Sequence, residues 1–181
     1  MNVEELRQRY AAGERDFSNV DLRDTVLKEI DLSGAVLHGA MLDEANLQRA
    51  NLSRVDLSEA TLNGADLTQA DLSGADLSDA ILNNAILAGA ILEGAVLDRA
   101  DLKAAALEQA DLRSADLIQA DLSRANLEAA DLSGADLGIA DLHQANLRQA
   151  ALERANLSGA NLQDTNLEGT IIEGGDSSLA T

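Results

Sequence analysis

The sequence contains no cysteine, proline or tryptophan, and its only aromatic residues are Tyr10 and Phe17. Without cysteine there are no disulfides, thiolate metal sites or cysteine nucleophiles, and redox chemistry does not indicate a compartment. With two aromatic rings in 181 residues, the chain cannot build an aromatic cage or a platform that stacks nucleic-acid bases. These absences already exclude several classes of enzyme and of RNA-binding module.

Positive charge and long apolar runs are also scarce. The chain has 13 basic and 32 acidic side chains, which gives a formal net charge of -19. Direct binding to a nucleic-acid backbone requires a basic surface, so it is not expected. No apolar run approaches the roughly 20 residues of a membrane span, and the N-terminal MNVEELRQRY has no apolar signal region. We therefore expect a cytoplasmic protein that does not enter membranes.

What the sequence has instead is an uninterrupted five-residue repeat. Its central residue falls at Phe17 and at every fifth residue to Ile172, which makes 32 units, and 30 of these centres are leucine. Two residues before the centre lies a small inner position, which is alanine in all but one unit between residues 35 and 160, the exception being Val55. The residue between them is the outer position, and the two residues after the centre are the first and second corners.

Neither a helix nor a continuous strand keeps such leucines on one side. Helical residues turn about 100° each, so successive centres would lie about 140° apart. In a strand an odd repeat moves every second leucine to the wrong face. A chain that bends once per repeat keeps the inner residue and the centre inside and the outer residue outside. The corners are rich in turn-forming Gly, Ser, Asn and Asp, so the pattern predicts an all-β solenoid.

The unit Ala65-Asp66-Leu67-Thr68-Gln69 and its repeats over residues 15–174 resemble the pentapeptide-repeat family. The resemblance implies a right-handed quadrilateral β-helix with four repeats per coil, hence about eight coils and a rod of roughly 38 Å at one strand spacing per coil. The segment VEELRQRYAAGERDF also resembles the capping segment of cyanobacterial members of the family, including a regulator of heterocyst differentiation.

The two ends of the repeat differ in their predicted caps. Residues 3–12 are expected to form a short helix that lays Val3, Leu6 and Tyr10 over the first coil, so that residues 1–14 form an N-terminal cap. The repeat domain spans 15–174, and 175–181 are expected to be a flexible tail. Since this tail is small and polar, either it folds over the C-terminal end or that end forms a homodimer.

No constellation of catalytic or metal-binding residues is recognisable. With four repeats per coil, His38 and His143 are about five coils apart, roughly 24 Å, so they cannot share a metal. Stacked outer carboxylates lack the cleft that would exclude water or complete a coordination shell. We therefore expect neither an enzyme, nor a cofactor, nor a metal, and Asp or Asn at the outer position is expected to serve turns and hydrogen bonds.

Two anomalies suggest where a partner would bind. We call face 1 the side that carries the units centred on Phe17 and every twentieth residue after it, and faces 2, 3 and 4 start at Leu22, Leu27 and Leu32. Face 1 has eight acidic and two basic residues and face 2 has eight and three. This surface either attracts a basic partner or only keeps the rod soluble. Apolar residues replace Asp or Asn at four consecutive outer positions, and Ile118 and Ile139 add outward apolar groups on face 1. These residues either mark an interface or reflect the suitability of β-branched residues for strands. The candidate partner-binding residues are Asp56, Asp76, Asp116, Asp136, Ile81, Ile86, Ile91, Val96, Ile118 and Ile139.

These observations favour a non-enzymatic, rigid, acidic scaffold for protein–protein interaction or regulation, whose partner the sequence does not name. The alternative comes from the resemblance, because some members of the family mimic duplex DNA and bind DNA gyrase. In that alternative the acidic faces would modulate gyrase.

Overall fold

The computed structural model describes residues 1–172, and it contains one helix, α1, at Val3–Ala11. Residues 173–181 lie outside the described range, and the predicted flexible tail at 175–181 falls among them. Between α1 and residue 172, every repeat contributes one residue to a parallel β-bridge, from Asp16 to Ile171. The β-structure of the described residues therefore consists of single-residue bridges, without longer strands. The bridging residues are the outer positions of the repeats.

Every bridge joins residues that are 20 apart, from Asp16 with Val36 to Ala151 with Ile171. Each coil therefore contains four five-residue units, and the solenoid is four-sided. In a typical unit, the Leu87 N–H donates to the Ala106 carbonyl of the next coil at 2.7 Å, and the Ile86 N–H donates to the Ala65 carbonyl of the previous coil at 2.9 Å. The register of 20 residues is kept without an insertion, as the uninterrupted repeat predicts.

The core consists of the centres and the inner positions, as predicted. Leucine centres from Leu22 to Leu152 are at most 1% exposed, and the alanines at the inner positions between them are equally buried. Because a coil can stack on the next only at one strand spacing, the inner position has room for little more than a methyl group. The leucine side chains fill the interior, and the small alanine side chains allow the backbone of the four sides to pack closely around them.

Each corner is a β-turn closed by a hydrogen bond from the following inner residue to the centre, such as the Ala90 N–H to the Leu87 carbonyl at 3.0 Å. The second corner has a positive φ in all 31 turns between residues 19 and 169. Nine of these residues are glycine, and the other 22 are not. A left-handed conformation costs a non-glycine residue about 1–2 kcal/mol, which is within the ~1.5–3 kcal/mol that burying one leucine contributes.

Helix α1 covers the first coil. The Asn2 side chain caps it by accepting from the Glu5 N–H at 2.8 Å. Leu6 is fully buried, Val3 and Tyr10 pack against the core, and the Tyr10 hydroxyl donates to the Ser33 carbonyl at 2.8 Å. The helix ends one residue earlier than the sequence suggests. Ala12 becomes the C-cap, and Gly13 follows with a φ of 96°.

The last described coil has no such cover within residues 1–172. Leu157 is 5% exposed, whereas Leu162 and Leu167 are only partly buried and Ile172 is exposed. Thr165 and Thr170 replace alanine at the inner position here, and their hydroxyls donate to the Leu142 and Leu147 carbonyls of the previous coil at 2.8 Å. A homodimer through this end stays a prediction.

Replacing a mid-rod centre, Leu87→Ala, should lower the free energy of unfolding by roughly 2–5 kcal/mol, because it removes buried methyl groups and leaves a cavity. Urea denaturation followed by circular dichroism measures it. The matched control is Ile86→Ala on the outside of the same unit, which is 41% exposed and should have a much smaller effect. Equal effects of the two substitutions would contradict the inward assignment of the leucine.

Candidate functional site

The candidate aspartates lie in one column at the outer positions of face 1. Asp56 bridges Asp76 and Asp116 bridges Asp136, while Val96 lies between the two pairs and bridges Asp76 and Asp116. The stacking predicted from the 20-residue register is therefore present, as two adjacent pairs of carboxylates rather than one continuous ladder.

Each outer Asp or Asn performs the same local task. Its Oδ1 accepts the backbone N–H of the first corner two residues later, as when Asp116 accepts from Ile118 at 3.1 Å and Asp136 accepts from Gly138 at 2.9 Å. All 21 outer Asp and Asn residues between 16 and 166 make this bond. No first-corner N–H of the described chain donates to a backbone carbonyl. The side chain is therefore the usual acceptor for this group.

The isoleucine and valine substitutions remove that acceptor. Ile81, Ile86, Ile91 and Val96 form one complete turn, which we call the apolar belt, with one residue on each face and exposures of 36–41%. Within residues 1–172, the backbone N–H groups that follow them have no protein acceptor; they belong to Asn83, Ala88, Glu93 and Asp98. The belt thus presents apolar side chains beside unpaired amide donors, a combination that the sequence pattern alone does not reveal.

Ile118 and Ile139 lie at the corners of face 1. Ile118 is a half-buried first corner, and Ile139 is a second corner with a φ of 60° and 64% exposure. Sequence reasoning missed two related features. Gly138, between them in the fold, is buried, and Val26 on face 3 is 67% exposed. Counting the rare residue types at each position of the repeat would have found them.

Face 1 has few cations, and both are engaged. Arg99 pairs with Asp79 at 2.6 Å and also with Asp98, and Arg15 lies 3.9 Å over the Tyr10 ring in the cap. Six carboxylates of face 1 consequently have no cationic partner within residues 1–172; they are Asp16, Asp56, Glu59, Asp76, Asp116 and Asp136. Face 1 is therefore an acidic surface on which most of the carboxylates are not neutralised by the described residues.

Arginines that lie close to aspartates lower the pKa of those carboxyl groups. Hydrogen bonds from the Arg23 guanidinium and from its backbone N–H lower the pKa of Asp21 from 3.8 to about 2. The guanidinium of Arg99 lowers the pKa of Asp79, and that of Arg113 lowers the pKa of Asp111. These ion pairs are exposed, so each contributes little to stability.

Residues 1–172 contain no group of three or more His, Asp or Glu side chains that could hold a metal ion. His38 Nδ1 lies 2.9 Å from the Ser58 hydroxyl on face 1, and His143 Nδ1 lies 3.1 Å from the Gln163 carbonyl on face 2. The two histidines take part in separate contacts between coils and are not brought together. In the described range, no helix is long or apolar enough to cross a membrane.

Comparison with protein-family models matches residues 16–138 and 140–174 to pentapeptide repeats, in eight copies. A search of curated proteins gives no significant match. Among solved structures, the chain is 35% identical to HetL, a pentapeptide repeat protein involved in heterocyst differentiation regulation from the cyanobacterium Nostoc sp. strain PCC 7120. That match covers 97% of this chain and 96% of HetL, with a TM-score of 0.53.

QnrB1, a plasmid-mediated fluoroquinolone resistance protein, shares the fold at lower identity. Its trypsin-treated form is 16% identical over 88% of this chain and 92% of its own, with a TM-score of 0.57. The full-length form is 20% identical over 89% of this chain and 88% of its own, with a TM-score of 0.51. At these identities the likeness concerns the architecture alone.

The acceptor role of the outer aspartates predicts different effects for two substitutions at one site. Asp116→Ala should lower the free energy of unfolding by about 0.5–1.5 kcal/mol, because the Ile118 N–H loses its acceptor. Asp116→Asn should have a smaller effect, since asparagine accepts the same bond at Asn126 and Asn146. Urea denaturation of both variants measures the difference, and equal destabilisation would contradict the acceptor role.

The lowered pKa of Asp21 predicts an acid-dependent loss of stability. A carboxyl whose folded pKa lies below its ordinary 3.8 stabilises the fold above that value, and this contribution is lost as the pH falls towards the folded pKa of about 2. Thermal unfolding of the wild type and of Asp21→Asn should differ at pH 6 and converge near pH 2. Asp31→Asn, at the same position but without an arginine partner, is the control. A difference that persists unchanged at low pH would contradict the ion pair.

Proposed function

Since the chain belongs to the pentapeptide-repeat family, we propose that it is a non-enzymatic, rigid, acidic scaffold that binds another protein. Pentapeptide-repeat proteins fold as right-handed quadrilateral β-helices, and the four-repeat coil of this chain fits that architecture. The likeness to HetL favours a regulatory role, and the composition favours a location in the cytoplasm. The observation that carries the proposal is the set of six face 1 carboxylates that have no cationic partner in the described part of the chain.

The rigidity of the surface supports this function. In each of the five outer aspartates of face 1, the carboxylate Oδ1 accepts the first-corner N–H, so a partner orders few of these side chains when it binds. Pre-organised charge increases the rate of encounter with a basic partner, and it does so most at low salt. A long surface of fixed geometry suits recognition, whereas catalysis needs a concave site that excludes water.

The second candidate is a DNA-mimic modulator of DNA gyrase, and charge density favours it. A net charge of -19 along a rod of roughly 38 Å amounts to about one negative charge per 2 Å, and B-form DNA has one per ~1.7 Å. The two candidates differ in the partner and share the acidic surface.

One pair of variants tests the acidic surface for both candidates. The face 1 variant replaces Asp56, Asp76, Asp116 and Asp136 with Asn, and the matched control replaces Asp31, Asp71, Asp111 and Asp131 on face 4. Each removes four negative charges, and Asn keeps the acceptor for the first-corner N–H. Chemical crosslinking with the intact protein as bait should recover one partner that the face 1 variant loses and the face 4 variant retains.

Gyrase supercoiling assays with the same proteins separate the candidates. Inhibition or protection that weakens as salt is raised and that is lost in the face 1 variant favours DNA mimicry. A gyrase reaction unaffected at micromolar protein, together with a crosslinked partner other than gyrase, favours the scaffold. Equal crosslinking by both four-aspartate variants would contradict a role for face 1 in either function.

A further inference from the structure

Three residues that break the repeat come together at one place on face 1. Ile118 is the only large aliphatic residue at a first corner of the described chain, and Gly138 is the only glycine at such a position. Ile139 is the only large apolar residue at a described second corner. We call Ile118 and Ile139, with Gly138 between them, the isoleucine patch. All three lie in two adjacent coils of face 1.

Ile139 is strained where it lies. The fold requires a left-handed conformation at every second corner, and Ile139 adopts it with a φ of 60°. Among the 22 non-glycine residues in this conformation it is the only β-branched one, the class for which a positive φ is least tolerated. Its side chain is 64% exposed, so packing within the described chain offsets little of that strain. The stacked fold imposes this conformation, and residues held in strained conformations cluster at functional sites.

Gly138 is not required by the backbone, because its φ is not among the positive ones. Its role lies in the space it leaves. A Cβ there would come within 3.1 Å of Asp136 Oδ1 and 3.9 Å of Ile118 Cγ1. Gly159, the second corner of the next coil, would place a Cβ 3.5 Å from Ile139 Cγ1. Each isoleucine therefore lies beside a position without a side chain, and the Ile139 side chain is accessible above the Gly159 backbone.

The charges beside the patch define what would bind it. Asp116 and Asp136 occupy the outer positions next to the two isoleucines, and neither has a cationic partner within residues 1–172. Apolar groups framed by uncompensated carboxylates complement an aliphatic side chain flanked by lysine or arginine. A second copy of this chain, with its net charge of -19, would bring like charge to the same place, as would nucleic acid or an anionic membrane.

We propose that the isoleucine patch, with Asp116 and Asp136, is a docking site for a segment of another protein in which aliphatic residues alternate with basic ones. This inference rests on the proposed scaffold function and adds to it the position of the contact and the chemistry of the partner. Ile118 and Ile139 supply the apolar contact, and the two carboxylates orient the basic residues on either side.

Residues that already occupy the same columns of face 1 supply variants that preserve the fold. Ile118→Ser introduces the residue found at Ser58, Ser78 and Ser158, and Ile139→Gly introduces the residue found at Gly39 and Gly159. The apolar control is Ile91→Asn on face 4, where Asn51 occupies the same column and Ile91 is 41% exposed. The charge variant is Asp116→Asn with Asp136→Asn, and its control is Asp31→Asn with Asp71→Asn on face 4.

The probe is a display library of random 12-residue peptides, selected on the intact protein at low salt and measured afterwards by fluorescence anisotropy. Enriched peptides should combine aliphatic with basic residues. The double variant Ile118→Ser, Ile139→Gly should weaken their binding by about tenfold or more, as expected for central apolar contacts, and Ile91→Asn by less than about twofold. The Asp116, Asp136 variant should reduce the salt dependence, and its face 4 control should not.

The denaturation midpoint provides a second measurement, which distinguishes a docking role of Ile139 from a purely structural one. Ile139→Gly should leave the denaturation midpoint unchanged or raise it, because it removes a β-branched residue from a left-handed corner. Binding lost while stability is kept supports the docking site. A lower midpoint together with unchanged peptide binding would mean that Ile139 serves the fold, and this would overturn the proposal.

The remaining outcomes separate this inference from the proposed function. Peptides that bind all variants equally, peptides without basic residues, or no enrichment would overturn the docking site. So would sedimentation analysis that shows a dimer lost in the double variant, since the occupant would then be a second copy. A crosslinked partner that the double variant retains overturns the docking site and leaves the scaffold function intact. The absence of any crosslinked partner counts against the scaffold function itself.

Discussion

The left-handed second corner is the constraint on which the whole structure depends. It turns the chain after every three extended residues, and four such turns bring residue n over residue n + 20. Only then can the backbone groups of one coil pair with those of the next, and only then do all the leucines point to one interior. Most corners are not glycine, so the conformation is imposed by stacking and by leucine burial rather than by local preference.

That distinction explains what could and could not be predicted from the sequence. The period of five and the alternation of alanine and leucine determine which side chains are inside, because burial depends on residue type at each position. The sequence indicates that the outer aspartates serve turns and hydrogen bonds, but it does not specify which N–H each one accepts. The positive φ at Arg49 or Gln119 was not foreseeable, because neither residue favours it alone. The unpaired amides of the apolar belt depend on a hydrogen bond that is absent within residues 1–172, and only the three-dimensional structure shows which N–H groups lack it.

The candidate binding surface on face 1 also has features that the sequence predicts and features that it does not. The shared column of Asp56, Asp76, Asp116 and Asp136 followed from the register once four repeats per coil were assumed. Whether this column is free to bind a partner depends on which carboxylates the arginine side chains pair with, and the sequence does not specify that. Arg99 pairs with Asp79 and Asp98 at the corners of face 1 and not with the aspartates of the outer column. The choice among nearby acids depends on side-chain geometry, and it leaves the two pairs of aspartates on face 1 without a cation from residues 1–172.

The uninterrupted repeat has a consequence for any long partner of this protein. A surface that repeats itself at every coil possesses near-translational symmetry, so a ligand that recognised only the outer carboxylates could shift by one coil and find almost the same environment. Such binding would be distributed over several equivalent alignments. The apolar belt and the strained isoleucine corner occur at single heights along the rod and break this symmetry. They give the otherwise repetitive charged surface a unique reference position, so that a bound partner can adopt one defined alignment.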